Sequence, residues 1–165
     1  MRLVIADTSP VNYLILIGHI ELLPRLFERI VVPSSVQAEL ANLGGPLEVR
    51  NWIASPPTWL EIHSTSELGD VAMQGLESLD EGETAAIVLA EVLHADLLLI
   101  DERDGFRAAQ KRGLRVTGTL GVLDLAAERG MIHFAEAIRE LEQTNFRRPA
   151  TLLNALLKKY SEHCP

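Results

Sequence analysis

The chain has a single cysteine in 165 residues, Cys164, one residue from its end. A disulfide framework is thereby excluded, a terminal thiol is badly placed to be a buried nucleophile, and the composition suits a reducing, cytoplasmic setting. Long apolar runs are also missing. The stretch over residues 11–20 is broken by Asn12, Gly18 and His19, so it falls short of the roughly 18 to 20 residues of a membrane span. Met1 and Arg2 lead directly into Leu3-Val4-Ile5-Ala6 with no h-region and no small-residue cleavage site, so we expect a protein that is neither secreted nor membrane-bound. Positive charge is in deficit, 15 Lys and Arg against 23 Asp and Glu for a net charge of −8. That balance argues against nucleic-acid binding by bulk electrostatics. It leaves room for a nuclease, because carboxylates that gather a metal ion concentrate negative charge locally and the ion turns a positive face to phosphate. Neither G-x-x-x-x-G-K-[ST] nor G-x-G-x-x-G occurs, so a nucleotide phosphate loop is unsupported. His19, His63, His94, His133 and His163 have no metal-ligand spacing with one another or with Cys164.

What is present is an alternation of short apolar runs and helical patterns. Leu3-Val4-Ile5-Ala6 reads as a buried strand stopping at Asp7, and Ser9-Pro10 as the cap and first position of a helix. Residues 20–28 predict a second helix, Ile30-Val31-Val32 a strand closed by Pro33, and Ser34 and Ser35 a capped helix through about residue 43, ended by Gly44-Gly45. Residues 46–80 are weakly patterned around Pro56-Pro57, with a short strand over 59–62. A helix over 80–94, a strand over 97–100, a helix over 102–112 and a strand over 114–117 follow. Three helices, over 120–129, 133–144 and 150–161, close the chain. Strands alternating with helices predict a parallel sheet with helices on both faces, in one α/β domain over residues 1–165.

In such sheets the functional crevice lies beyond the carboxyl ends of the strands, where strand order reverses. Asp7 and Asp101 each follow an apolar strand immediately. On neighbouring strands their carboxylates emerge on one edge, and a cation is expected between them. Glu39 interrupts the apolar stripe of Val36, Leu40 and Leu43, and Glu83 shares a face with Ala86, Ile87 and Ala90. A carboxylate on a core-facing stripe is costly unless it is paired or ligates a metal. Simpler readings stand beside this one: Asp7 organising the turn before Pro10, Asp101 capping the next helix, Glu83 completing a capping box with Asp80, and Glu39 as a partly exposed helix acid. Four acids of this kind suit one or two Mg²⁺ or Mn²⁺ ions, which prefer oxygen ligands. An aspartyl phosphatase would want a second acid where Ser9 stands, and a receiver a Lys after the strand ending near Thr117.

These same residues resemble the PIN-domain superfamily, in particular its branch of small prokaryotic PIN-like proteins. The resemblance covers about residues 1–130, the core, with residues 131–165 as appended C-terminal helices. It rests on the strand into Asp7-Thr8-Ser9-Pro10, on Val31-Val32-Pro33 and the helix bearing Glu39, and on Leu79-Asp80-Glu81-Gly82-Glu83-Thr84-Ala85-Ala86-Ile87. Leu98-Leu99-Ile100-Asp101-Glu102 and Val116-Thr117-Gly118-Thr119-Leu120-Gly121 complete it. It implies a three-layer α/β/α fold with a mostly parallel central sheet. It further implies an acidic quartet of Asp7, Glu39, Glu83 and Asp101 holding Mg²⁺ or Mn²⁺, and single-strand-directed RNA cleavage as the toxin of a pair with a cognate antitoxin. Glu83 departs from the family pattern by standing where many relatives carry Asp, and Leu99 by standing where many have a hydroxyl. Asp104 is a further possible ligand, Ser9 and Thr119 can line the crevice, and Arg103 and Arg107 are candidates for RNA phosphate contacts or for a solvated charged face. The Leu152, Leu153, Leu156 and Leu157 stripe is expected to pack on the domain or in a homodimer. A binding module that keeps the fold without turnover is the non-enzymatic alternative.

Overall fold

The computed structural model describes residues 2–65 and 73–161, so His163 and Cys164 lie outside the described residues. In chain order the elements are β1 (Leu3–Ala6), α1 (Thr8–Leu16), α2 (Leu22–Leu26), β2 (Arg29–Pro33), α3 (Ser34–Leu40), α4 (Leu47–Ala54) and β3 (Leu60–His63). They continue as α5 (Glu81–Val92), β4 (Leu97–Leu99), α6 (Arg103–Lys111), β5 (Val116–Thr117), α7 (Thr119–Glu128), α8 (Phe134–Glu142) and α9 (Ala150–Ser161). The strands form one sheet in the order β3-β2-β1-β4-β5, and every pairing is parallel.

Strand side chains alternate between the two faces of a sheet, and β1 distributes its residues accordingly. Val4 and Ala6 join Ile30, Val32 and Leu99 in one core, which Leu14 of α1, Leu23 of α2, Leu123 of α7 and Ile138 of α8 complete. Leu3 and Ile5 join Val31, Leu98 and Ile100 in a second core under α5 and α6. With both faces covered, the sheet is the middle layer of an α/β/α sandwich, and its inner strands β1 and β4 are apolar throughout, whereas the edge strand β3 carries Glu61 and His63. Strand order reverses between β1 and β4, where Ala6 is in register with Leu99 and the Asp7 amide donates to the Leu99 carbonyl at 2.9 Å. Asp7 and Asp101 leave the sheet from these two neighbours.

Several boundaries shift from the sequence expectation. Helix α1 starts at Thr8 with Asp7 in the cap position, so Pro10 falls inside the first turn, where its missing N–H has no helical acceptor to lose. The helix after Pro33 ends at Leu40 instead of continuing to residue 43, and α2 is shorter than residues 20–28. Helix α4 has no counterpart in the sequence pattern, because it buries only Val49 and Ile53, too few positions to set a visible period. The leucine stripe of α9 lies on the domain through Leu153, Leu156 and Leu157, whereas Leu152 stays exposed. No helix among the described residues is long and apolar enough to cross a membrane.

Ile5 is fully buried in the central strand and Leu43 is 84% exposed. Ile5→Ala should therefore cost about 2 to 5 kcal/mol of unfolding free energy in urea titrations, while Leu43→Ala should stay within about 0.5 kcal/mol of wild type.

Candidate active site

The first acid follows directly from the strand. Asp7 ends β1 at the N-terminus of α1 and is only 4% exposed, and its Oδ1 is buried with no hydrogen-bond partner among the described residues. Glu83 arrives from the opposite layer. Asp80 caps α5 by accepting the Glu83 amide at 2.8 Å, which starts the helix so that Glu83 in its first turn turns inward and is 6% exposed. The capping role foreseen for Asp80 and the buried acid therefore coexist. Glu39, exposed on α3, reaches across to accept the Thr8 hydroxyl through Oε2 at 2.7 Å.

Gly82 is where these groups meet. A Cβ at that position would sit 2.9 Å from Glu39 Oε2, 3.3 Å from Asp7 Oδ1 and 3.5 Å from Asp80 Oδ1. The three carboxylate oxygens thus surround a space that any side chain at residue 82 would fill. Burial raises the Asp7 pKa to about 8, helped by the charges of Asp80, Glu83 and Glu39 and opposed by the Thr8 amide. Burial likewise raises Glu83 to about 7, with Asp80, Glu102 and Glu39 adding to the rise and the Asp80 backbone N–H opposing it. This is an uncompensated acidic cluster.

Asp101 is held differently. Its carboxylate accepts the Thr119 amide on Oδ1 and the Thr119 hydroxyl on Oδ2, each at 2.7 Å, and Thr119 is fully buried, so it holds Asp101 from within the core instead of lining the crevice as expected. Gly118 makes room for it, since a Cβ there would lie 2.5 Å from Oδ1. Arg148 donates to the Asp101 backbone carbonyl and approaches Oδ1 at 3.4 Å. Burial still raises the Asp101 pKa, against the pull of Thr119 and Arg148. Asp101 is not the helix cap that sequence allowed, because Glu102 takes that position and makes no side-chain cap bond.

The structure thus gathers Asp7, Glu39 and Glu83 with Asp80, while Asp101, two residues past the end of β4, is held by its own partners, Thr119 and Arg148. Asp104 is exposed and lines a groove with Arg107 and Lys111 to which none of the four acids contributes. Arg103 and Arg107 line a separate cleft together with Asp101. Ser9 is half-buried in the first turn of α1. Sequence reasoning treats Asp80 only as a cap, although its charge acts on both Asp7 and Glu83. It also misses Arg148 as a partner of Asp101, since 47 residues separate them and no local pattern joins them.

Among the described residues no three Asp, Glu, His or Cys side chains stand as a finished metal-ligand set. The chemistry of the cluster nevertheless fits a hard divalent cation: all donors are oxygens, Asp7 Oδ1 is buried and unpartnered, and Gly82 keeps the space open.

A parallel three-layer domain with buried acids at its switch point is common to several classes of enzyme. The family model DUF3368, described as a PIN domain, matches residues 3–162, and the chain belongs to that family. A PilT N-terminus domain protein from the hyperthermophilic archaeon Sulfolobus solfataricus P2 has a similar fold. Its TM-score is 0.50 at 16% identity, over 79% of this chain and 97% of the archaeal one. No curated protein matches the sequence. PIN domains are generally dependent on divalent metal.

The raised pKa of Asp7 has a thermodynamic consequence. Between its ordinary value of 3.8 and about 8 the unfolded chain releases the proton while the folded chain retains it, so this group makes the metal-free fold less stable as pH rises through that window. Asp7→Asn should melt higher than wild type near pH 8 in EDTA, by about 1 to 3 kcal/mol, the scale of an unsatisfied buried polar group, and the gap should close near pH 4. Calorimetric melting of both proteins at the two pH values checks this.

Proposed function

We propose that the chain is a Mg²⁺- or Mn²⁺-dependent endoribonuclease directed at single-stranded RNA, and that it acts as the toxin of a toxin–antitoxin pair. The observation that carries the reading is Asp7 Oδ1, buried without a partner and facing the space that Gly82 leaves between three carboxylates. A protein keeps so costly an arrangement where something cationic completes it.

Asp7, Glu39, Glu83 and Asp101 are the residues we assign to hold the ion, with Asp80 contributing on the Gly82 side. When bound, the ion supplies positive charge to the phosphodiester oxygens and lowers the pKa of attacking water. The chain does the positioning. The Thr8 hydroxyl orients Glu39 through its 2.7 Å bond, and Thr119 fixes both oxygens of Asp101. The first turn of α1 and the Asp80-capped start of α5 hold Asp7 and Glu83 on rigid elements, which keeps the carboxylates in place before substrate arrives. An active ribonuclease must be restrained in its own cell, which is the reason for a cognate antitoxin.

The alternative, a binding module without turnover, draws on a specific feature: Asp101 is already engaged by Thr119 and Arg148. The two readings separate in a cleavage assay on a mixed single-stranded RNA pool with EDTA, Mg²⁺ or Mn²⁺. The ribonuclease should cleave only with metal, and Asp7→Asn should lose at least about a hundredfold in rate. Equal inertness of both proteins, with Mn²⁺ still bound by wild type in calorimetry, hands the function to the module.

The Gly82 cradle makes its own prediction. Gly82→Ala places a methyl 2.9 Å from the end of the flexible Glu39 side chain, which can move, and 3.3 Å from the buried Asp7 Oδ1. Metal-free stability should change by less than about 1 kcal/mol, while Mn²⁺ affinity by calorimetry falls about tenfold or more. Unchanged affinity would remove the cradle from the metal site.

A further inference from the structure

A cleft of about 540 Å³ opens between α6, α7 and α9, with Asp101 among its lining residues. Its charge runs against that of the whole chain. Arg103, Arg107 and Arg148 all line it, in a protein of net charge −8. Arg103 and Arg107 stand one helical turn apart on α6, both exposed, and among the described residues neither has an acidic partner. Asp124, the other acid in the cleft, is taken up by Lys159 Nζ at 2.9 Å and by the Tyr160 hydroxyl. The remaining wall is mostly apolar, with Phe106, Leu152 and Leu156 among its residues and Gln110 and Thr117 as its polar ones.

Arg148 is built into position. Its guanidinium lies 5.2 Å over the Phe146 ring, and Phe146 packs edge-on against Tyr13 of α1 at 5.0 Å. The Tyr13 hydroxyl donates to Asn145 Oδ1 at 2.8 Å, so residues 145–148 are braced on the helix that follows Asp7. The guanidinium is anchored by the backbone carbonyls of Asp101 and Arg147, whereas the Asp101 carboxylate is at the edge of hydrogen-bond range. An arginine has five N–H donors in a fixed fork, and this anchoring leaves donors for an anion in the cleft.

Resting on the ribonuclease reading, we propose that this cleft is the subsite for the nucleotide flanking the scissile bond. Arg148, Arg103 and Arg107 bind the adjoining phosphate, and the Phe106–Leu152–Leu156 wall receives the unstacked base. The cleft falls within the size range of small-ligand pockets, so an entering base must first leave its stack and its pairing partner. Preference for single strands follows from that requirement, and a base face on an apolar wall makes the binding tolerant of sequence.

The test measures fluorescence anisotropy of a short labelled single-stranded RNA with full-length Asp7→Asn protein in EDTA, over a salt series, so that neither cleavage nor metal contributes. Arg103→Ala with Arg107→Ala should weaken binding about tenfold and flatten the log–log salt slope by about 0.7 for each phosphate no longer neutralised. Phe106→Ala should weaken binding about fivefold or more with the slope unchanged. Arg148→Gln should lower both, and Arg148→Lys should restore the slope while affinity stays below that of the Asp7→Asn parent, because lysine keeps the charge and loses the fork. If Arg148→Gln unfolds by circular dichroism, the exposed Arg103 and Arg107 pair decides the matter. Affinity and slope unchanged in that pair, a duplex of the same sequence binding as tightly as the single strand, or no RNA bound at low salt would each overturn the subsite. The metal-dependent cleavage assay is read separately: binding through the arginines without cleavage sinks the nuclease and keeps the cleft, and cleavage without arginine dependence does the reverse.

Discussion

A carboxylate buried at the end of the central strand, with an oxygen that no described residue satisfies, is the constraint to which the rest of the structure answers. Asp7 sits where a parallel sheet reverses its strand order, held there by the Asp7 amide to Leu99 carbonyl bond that continues the β1–β4 ladder. The backbone is satisfied and the side chain is not. Burial, with three neighbouring acids, keeps its proton bound up to about pH 8, so the metal-free fold carries an energetic cost at the end of its central strand. That is the usual place for function to override stability.

Two glycines follow from the same constraint. Gly82 lies where Glu39, Asp7 and Asp80 meet, and Gly118 lies against Asp101. Each leaves out a Cβ that would collide with a carboxylate, so the glycines set how closely acids from different layers approach. The acids themselves divide into two electrostatic settings. Asp7 and Glu83 face mostly other carboxylates, whereas Asp101 is stabilised by Thr119 and flanked by Arg148. Asp101 thus lines a cleft that carries three arginines and neither Asp7 nor Glu83, in a chain whose overall charge would repel RNA.

The legibility of these features in the sequence depends on how local their causes are. The opening strand, the Asp80-led start of α5 and the apolar run before Asp101 are readable because strand burial and helix capping act within a few residues. Asp101 is readable as a strand-end acid, but its partners are not, since the Thr119 bonds cross 18 residues and the Arg148 interaction crosses 47. The start of α1 differs from the sequence expectation because Ser9-Pro10 is a strong local signal that the geometry of the turn after β1 overrides. Helix α4 is invisible in the sequence because it buries two side chains only.

The sequence by itself determined the alternation of strand and helix, the parallel α/β architecture and the family resemblance, which rest on short-range periodicity and on motifs a few residues long. Only the tertiary structure decided which acids share a space, that Asp80 belongs with them, that Asp101 is tethered instead by Thr119 and Arg148, and that the arginines of α6 face a cleft. The physical reason is that electrostatic environment is a property of distance and burial in three dimensions. A carboxylate in a sequence carries neither until the layers of the sandwich close around it.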